Sequence, residues 1–262
     1  MSLYNFSDLN DKCVVIIGGF GLIGKELCRA FLHNKVKLII ADNNKDTAFL
    51  KELEKIESPN KIQYYKFDIT HEKNIDSLIE NVVKEHKKID VFINTSWPRT
   101  NDWGTNVEKV KYESIKKNLI DQLGSYFNCT QKIAMQMKKQ KSGSIINFSS
   151  IYGKVGPTFS IYEGTTMTSP PAYALIKGGV NTMTKYFASY FGKYNIRVNC
   201  ISPGGIYRKE NPKFVEKYIK NVPLARMANP EDIAMPVLFL ASQGSRYVTG
   251  HNLMVDGGWT IH

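Results

Sequence analysis

The chain has 262 residues, 42% of them hydrophobic, with a formal charge of +11 and a pI near 9.3. That length fits one large α/β domain or two small ones and allows a full apolar core. No run of about 18 apolar residues occurs, so no transmembrane helix is expected, and residues 1–8 lack the basic-then-apolar pattern of a secretory signal.

Cys13, Cys28, Cys129 and Cys200 are scattered, without the spacing of a disulfide framework. His33, His71, His86, His251 and His262 are equally dispersed, and no metal set is legible. A reducing cytoplasm is the expected compartment, with no metal and no membrane partner. The positive charge has three readings: drift toward Lys, Asn and Ile, attraction of anionic ligands, and nucleic-acid binding. The lysines are spread out rather than gathered in a stripe with interleaved aromatics. Drift therefore ranks first, anionic ligands second and nucleic acid last.

Strand-like runs are read at 12–18, 36–42, 62–67, 89–94, 143–149, 195–201 and 252–256. Several are nearly continuous Val, Ile and Phe, as in parallel strands covered on both faces. Helical stretches near 22–34, 46–56, 72–87, 108–141 and 172–192 lie between them. This alternation predicts a doubly wound α/β sheet with right-handed crossovers. Without a linker or repeat, a single domain over 1–262 is expected. Two segments break the alternation: 151–171, rich in Gly, Pro, Thr and Ser, and 203–222, which opens Pro-Gly-Gly and then turns helical. Both follow strand ends, where ligands sit in open α/β sheets, and both are expected to wall a substrate.

After the first strand comes Gly18-Gly19-Phe20-Gly21-Leu22-Ile23-Gly24, opening a helix. Such a turn lets backbone approach a pyrophosphate, and the helix N-terminus offers N–H donors and a positive dipole. Asp42 ends the second strand, 24 residues beyond Gly18. A carboxylate there can accept both ribose hydroxyls and would repel a 2′-phosphate, which favours NAD over NADP. An Asp in that place can also cap the following helix. Asp68 and Ile69 close the third strand, where they could frame an adenine; Asp68 has the same capping alternative.

The densest chemistry lies at Tyr173-Ala174-Leu175-Ile176-Lys177, preceded by Ser149-Ser150. Tyr and Lys four apart share one helix face. A free phenol titrates near about 10; an adjacent ammonium stabilises the phenolate and lowers that value. A Tyr tuned this way can take a proton from an alcohol or give one to a carbonyl.

Together with Arg197-Val198-Asn199-Cys200-Ile201-Ser202-Pro203-Gly204-Gly205, Pro230-Glu231-Asp232-Ile233-Ala234 and Val255-Asp256-Gly257-Gly258-Trp259, these motifs resemble the short-chain dehydrogenase/reductase family along essentially the whole chain. The resemblance implies a Rossmann-type domain with a seven-stranded parallel sheet flanked by helices, and a nicotinamide cofactor. It implies that Ser150 hydrogen-bonds the reacting oxygen, Tyr173 transfers its proton, and Lys177 lowers the Tyr pKa while holding the nicotinamide ribose. Gly18, Phe20, Gly21, Leu22, Ile23, Gly24, Asp42, Asp68, Ile69, Asn94, Pro203, Gly204 and Ile206 would line or support the NAD site. It also implies a homo-oligomer, tetramer or dimer, built through the helices near 108–141 and 172–192.

Four departures from the family pattern stand out. The glycine turn reads GxxGxxG. The usual NNAG is Asn94-Thr95-Ser96-Trp97, with Arg99 close by. The helix position of the fourth catalytic member holds Gln122, with Asn118 one turn earlier. Finally, Tyr173 follows Ser150 by 23 residues, where about a dozen is usual in the family. The extra loop, including Tyr162, Glu163 and Thr165, carries hydroxyls and a carboxylate suited to a polyhydroxylated substrate, or else packs on a neighbouring subunit. With Trp97 and Arg99 it resembles a subgroup linked to flagellin modification and bacterial surface sugars, and Arg99 and Arg208 could bind a phosphate or carboxylate on such a sugar.

The expectation is an NAD-dependent oxidoreductase acting on a polar, anionic sugar derivative, with Tyr173 as acid and base. A 3-oxoacyl or simple ketone reductase is the alternative among enzymes. A non-catalytic NAD-binding scaffold is the alternative of another class.

Overall fold

The structure, a computed structural model, describes residues 6–261; residues 1–5, where a signal was judged absent, and residue 262 lie outside the described residues. Seven strands form one sheet: β1 (Cys13–Ile17), β2 (Lys37–Asp42), β3 (Gln63–Lys66), β4 (Val91–Asn94), β5 (Gly143–Phe148), β6 (Ile196–Pro203) and β7 (Asn252–Val255). Their order is β3-β2-β1-β4-β5-β6-β7, and every pairing is parallel. The order reverses direction between β1 and β4, which opens a crevice at the carboxyl ends of those strands. Each strand lies within two residues of its expected bounds.

Strand periodicity sorts the core into two layers. Val14, Ile16, Leu38, Ile40, Val91 and Ile93 pack on one face, against α1 (Leu22–His33) and α8 (Pro230–Ala241). Val15, Ile17, Ile39, Ala41 and Phe92 pack on the other, against α3 (Asn74–His86), α5 (Ser125–Gln140) and α6 (Pro171–Phe191). The remaining helices are α2 (Thr47–Leu53), α4 (Tyr112–Asn118) and α7 (Pro212–Ile219).

Two helical expectations need revision. The stretch expected at 108–141 begins at Tyr112 and is interrupted by a π-helical turn over Leu119–Gly124. The wider turn takes up residues that a regular helix would carry past register, a device often found beside functional sites. Helix α8 was not anticipated. Ile233, Ala234, Val237, Leu238, Leu240 and Ala241 are all buried, so no one-sided apolar stripe announces it. Its start does follow rule: Pro230 occupies the first turn, and Asn229 with Asp232 forms a capping box.

The segments 151–171 and 203–222 come together over the strand ends. Ile151, Tyr152, Ile161, Phe214, Tyr218, Val222, Met227 and Trp259 make a small third core there, apart from the two layers.

The first turn depends on two glycines. Gly18 sits at φ +77°, a conformation that L side chains rarely adopt, and a Cβ on Gly24 would lie 2.1 Å from the Gly18 carbonyl oxygen. Neither backbone can retreat without moving β1 or α1. Gly24→Ala is expected to destabilise the fold by about 1–3 kcal/mol, the usual cost of overpacking. A thermal melt would show it as a drop of several degrees, with NAD binding weakened in parallel.

Candidate active site

A cavity of about 1410 Å³ runs along the carboxyl ends of the strands, from the N-terminus of α1 to the 203–214 segment. Its cofactor end is lined by Gly18, Phe20, Gly21, Leu22, Ile23 and Gly24, as the glycine pattern required, and by Asp68 and Ile69. Asp42 lines it too, with Oδ2 accepting from the Phe20 amide at 3.0 Å. The capping alternative belongs to another residue. Asp46 is the N-cap of α2, accepting from the Phe49 amide at 2.9 Å. Asp68 closes a local turn, its Oδ1 accepting from Thr70 N and Oγ1. Asn94 does not line the cavity. It is fully buried beneath it, and its Oδ1 accepts from the amide and hydroxyl of Ser96. It shapes the floor rather than meeting a ligand.

The residues present fit a dinucleotide. The glycine turn lines the cavity at the N-terminus of α1, Asp42 offers a carboxylate near it, and Pro203, Gly204 and Ile206 line the end beside Tyr173 and Lys177.

Ser150, Tyr173 and Lys177 line the same cavity. Sheet and helix are stitched together at this point. Ser149 Oγ donates to the Lys177 carbonyl at 2.8 Å, and Lys177 Nζ donates to the Phe148 carbonyl at 2.8 Å. A Cβ on Gly153 would stand 2.7 Å from the Lys177 backbone, so the turn after Ser150 lies hard against α6. The Lys177 ammonium is 5.7 Å from the centre of the Tyr173 ring. Burial pulls the Lys177 pKa down to about 8, with the Cys200 thiol opposing it. Burial raises the Tyr173 phenol, while a hydrogen bond from Ser150 and the charge of Arg208 pull it back; the net direction is upward.

Of the six expected substrate residues, Trp97, Arg99, Tyr162 and Arg208 line the cavity. Glu163 and Thr165 do not. Glu163 pairs with Lys217 at 3.3 Å on the exposed surface, and Thr165 Oγ1 donates to the Tyr162 carbonyl inside its own loop. Arg99 and Arg208 flank the Trp97 ring, with guanidinium carbons 4.5 and 5.9 Å from its centre. Glu210 accompanies Arg208 at 3.7 Å; Arg99 has no carboxylate partner among the described residues. Tyr152 and Ser169, from the 151–171 segment expected to wall a substrate, also line this end, and Trp103 does so without having been foreseen. Trp97, Trp103 and Tyr173 form a triangle with ring centres 5.9 to 6.1 Å apart.

Neither candidate for the fourth catalytic position lines the cavity. Asn118 is committed elsewhere: its Oδ1 accepts from the Thr100 amide, and its Nδ2 donates to Thr100 Oγ1 and the Ser114 carbonyl. It anchors the 97–104 loop. Gln122 sits in the π-helical turn, 1% exposed, with Nε2 unpartnered among the described residues. Tyr126 was missed by sequence reasoning. Its buried hydroxyl donates toward the carbonyls of Asn94 and Ser96 at 3.0 and 3.1 Å, which fixes the loop that replaces NNAG.

Comparison with known proteins agrees with this geometry. A family model described as enoyl-(acyl carrier protein) reductase matches residues 22–260. The chain is 37% identical over 255 residues to the post-translational flagellin modification protein A of Campylobacter coli, covering 97% of this chain and all of that one. It is 32% identical over 259 residues to a 3-oxoacyl-[acyl-carrier-protein] reductase of Thermotoga maritima, covering 97% and 99%. Among solved structures, a short chain dehydrogenase from Leptospira borgpetersenii with bound NAD+ superposes with a TM-score of 0.86 at 36% identity, covering 100% of this chain and 98% of that one. With its seven-stranded sheet, its glycine turn and this breadth of likeness, the chain belongs to the short-chain dehydrogenase/reductase family of NAD-dependent oxidoreductases.

Proposed function

We propose that this protein interconverts a secondary alcohol and a ketone, with NAD as cofactor and Tyr173 as the acid and base. The observation that carries the reading is the convergence of Ser150, Tyr173 and Lys177 in the cavity that the glycine turn opens. NAD, when bound, takes up or gives back a hydride. The chain's part is to hold the reacting oxygen and to move its proton. Ser150 donates to that oxygen, and the Tyr173 hydroxyl exchanges the proton with it. Lys177, held by the Phe148 carbonyl, keeps a positive charge beside the phenol. Gln122 lies outside the cavity lining, but its unpartnered amide N–H, where Asn118 is fully committed, makes it the one of the two able to complete the group through a relay water.

Two substrate readings follow. The relatives weigh toward a 3-oxoacyl or simple ketone: four of them are 3-oxoacyl-[acyl-carrier-protein] reductases. A polar, anionic sugar derivative has narrower support, from the flagellin-modification relative and from the two guanidiniums near Trp97, since arginine binds carboxylate and phosphate well. A non-catalytic scaffold is disfavoured by the intact Ser150, Tyr173 and Lys177. Four buried free thiols support a reducing cytoplasm, and among the described residues no helix is long and apolar enough to cross a membrane. Ile120, Phe127 and Met135, with Leu175, Tyr186 and Tyr190 on α6, are exposed and give a homo-oligomer an apolar face.

The substrate test is NADH absorbance against 3-oxoacyl thioesters, simple ketones, and phosphorylated, nucleotide-linked and acidic sugars, in both directions. Turnover of thioesters alone supports the first reading, and turnover of anionic sugars alone supports the second. Tyr173→Phe is expected to lower kcat by about 10²- to 10⁴-fold, the range of general acid–base catalysis, with NAD affinity by calorimetry unchanged; unchanged turnover would refute the mechanism. Asp42→Ala is expected to reduce the preference for NAD over NADP by at least about tenfold in kcat/KM, since one charged contact is worth that much.

The pH dependence has a definite sign. Lys177 is charged below about 8, and its charge favours the Tyr173 phenolate. Lys177→Met removes that charge, so alcohol oxidation should slow by about tenfold or more below about pH 8, where the ammonium is present, and by less above it. A loss that is equal on both sides of pH 8, or no loss, would contradict the assignment.

A further inference from the structure

Three hydroxyl groups stand beside Tyr173 that the acid–base centre does not use. The phenols of Tyr152 and Tyr162 meet at 3.2 Å. Ser169 is 4% exposed, and its Oγ has no hydrogen bond of good geometry among the described residues. It lies near enough to Tyr162 to pull that phenol's pKa down against the larger effect of burial. All three side chains line the cavity, and the Tyr152 ring stands edge-on to Tyr173 with centres 6.5 Å apart. Tyr152 comes from the turn just after Ser150. Tyr162 and Ser169 come from the extra residues before Tyr173.

The row is rigid. Tyr162 stacks on Phe214 at 5.5 Å and 25°, Phe214 packs on Tyr218 at 5.6 Å, and Tyr218 stacks on Trp259 at 4.4 Å and 21°. The Tyr218 hydroxyl accepts from the Gly205 amide, which ties this ladder to the 203–206 segment. A site held by packed side chains of this kind is set before ligand arrives.

The proton count points to one kind of ligand. Burial raises the pKa of both Tyr152 and Tyr162, so both remain O–H groups at neutral pH. Three hydroxyls bring three protons, and the bond between the two phenols uses one. Such a row can run in either sense, offering a donor to one ligand and an acceptor to another. A substrate hydroxyl, being both, pairs with it either way. A methylene pairs with nothing and leaves buried oxygen unsatisfied, which is costly.

We propose that Tyr152, Tyr162 and Ser169 form a hydroxyl-reading subsite, and that the substrate is a secondary alcohol, or its ketone, with a further hydroxyl beside the reacting carbon. The inference rests on the oxidoreductase reading of the same site and decides between its two substrate classes: a polyol or sugar meets the row, and a plain acyl chain does not. A site built to bond a hydroxyl rejects the analogue lacking it far more strongly than an apolar pocket rejects an added one.

The test uses the intact protein with NAD and two probe pairs: myo-inositol against cyclohexanol, and threonate against β-hydroxybutyrate. NADH formation gives kcat/KM. Tryptophan fluorescence of the NAD complex gives occupancy, since Trp97 and Trp103 line the cavity. The polyol of at least one pair should be preferred by about tenfold or more. In Tyr162→Phe/Ser169→Ala that preference should fall by about 10- to 100-fold, as for a lost buried hydrogen bond. Tyr162→Phe alone keeps the stacked ring, and an unchanged melting temperature and NAD affinity certify its fold. Preference for the deoxy partners, a preference the variants leave intact, or silence on both polyols in both readouts overturns the inference. Failure of the underlying reading looks different: Tyr173→Phe would then leave turnover of every probe untouched.

Discussion

The site depends on the seam where β5 ends against α6. Two reciprocal bonds hold it, Ser149 Oγ to the Lys177 carbonyl and Lys177 Nζ to the Phe148 carbonyl. The Asn181 amide adds a third, donating to the Gly153 carbonyl at 2.9 Å. Because Gly153 has no side chain, the turn after Ser150 can lie directly on the helix backbone. Strand, turn and helix are thus one body, and Ser150, Tyr173 and Lys177 keep their relation although 23 residues separate the first two. Burying the ammonium carries a cost. Its pKa of about 8, against 10.5 in water, corresponds to about 3 kcal/mol disfavouring the charged form. The single carbonyl bond offsets part of that, and an anionic phenol beside it would offset more.

Charge divides the cavity lengthwise. Asp42, Asp46 and Asp68 stand with Lys45 at the end beside the glycine turn, and Arg99 and Arg208 with Glu210 at the far end. A carboxylate at Asp42 would repel a phosphate placed beside it, while Arg99, and Arg208 with its Glu210 partner, favour negative charge near Tyr173. Arg208 also acts on Tyr173 itself, lowering a phenol that burial has raised. An anionic substrate placed between Arg208 and Tyr173 would screen that effect, and its binding would then be coupled to the phenol's titration through one side chain.

Most of the sheet was legible in the sequence because parallel strands buried on both faces read as continuous Val, Ile and Phe, and glycines mark the turn that must approach a ligand. Asp42 was legible from its distance to Gly18. Residues whose role depends on where a loop folds back were not. Glu163 and Tyr162 are neighbours in an irregular loop with no period to say which faces inward; the 3₁₀ turn over Phe159–Tyr162 brings Tyr162 onto Phe214 and leaves Glu163 outside. Tyr126 read as one apolar residue on a helix, yet its hydroxyl secures the floor loop. The π-helical turn over Leu119–Gly124, which carries Gln122, is not registered by a pattern based on 3.6 residues per turn.

Two of the departures from the family pattern, the loop that replaces NNAG and the extra residues before Tyr173, lie together in space. Trp97 and Arg99 follow β4, Tyr162 and Ser169 precede α6, and Arg208 follows β6, yet all face one end of one cavity. The Tyr162–Phe214–Tyr218–Trp259 ladder explains how such changes could be accommodated without disturbing the cofactor end. It packs into a small core of its own, separate from the two layers that hold the sheet, so its residues can vary in shape at little expense to the main fold. It meets the cofactor end through the Tyr218 hydroxyl on the Gly205 amide. That bond lets the substrate wall be rebuilt as a unit while its position relative to the nicotinamide segment stays fixed. Hydride transfer demands that fixed position, because a reacting carbon held about an ångström too far can lose about two orders of magnitude in rate.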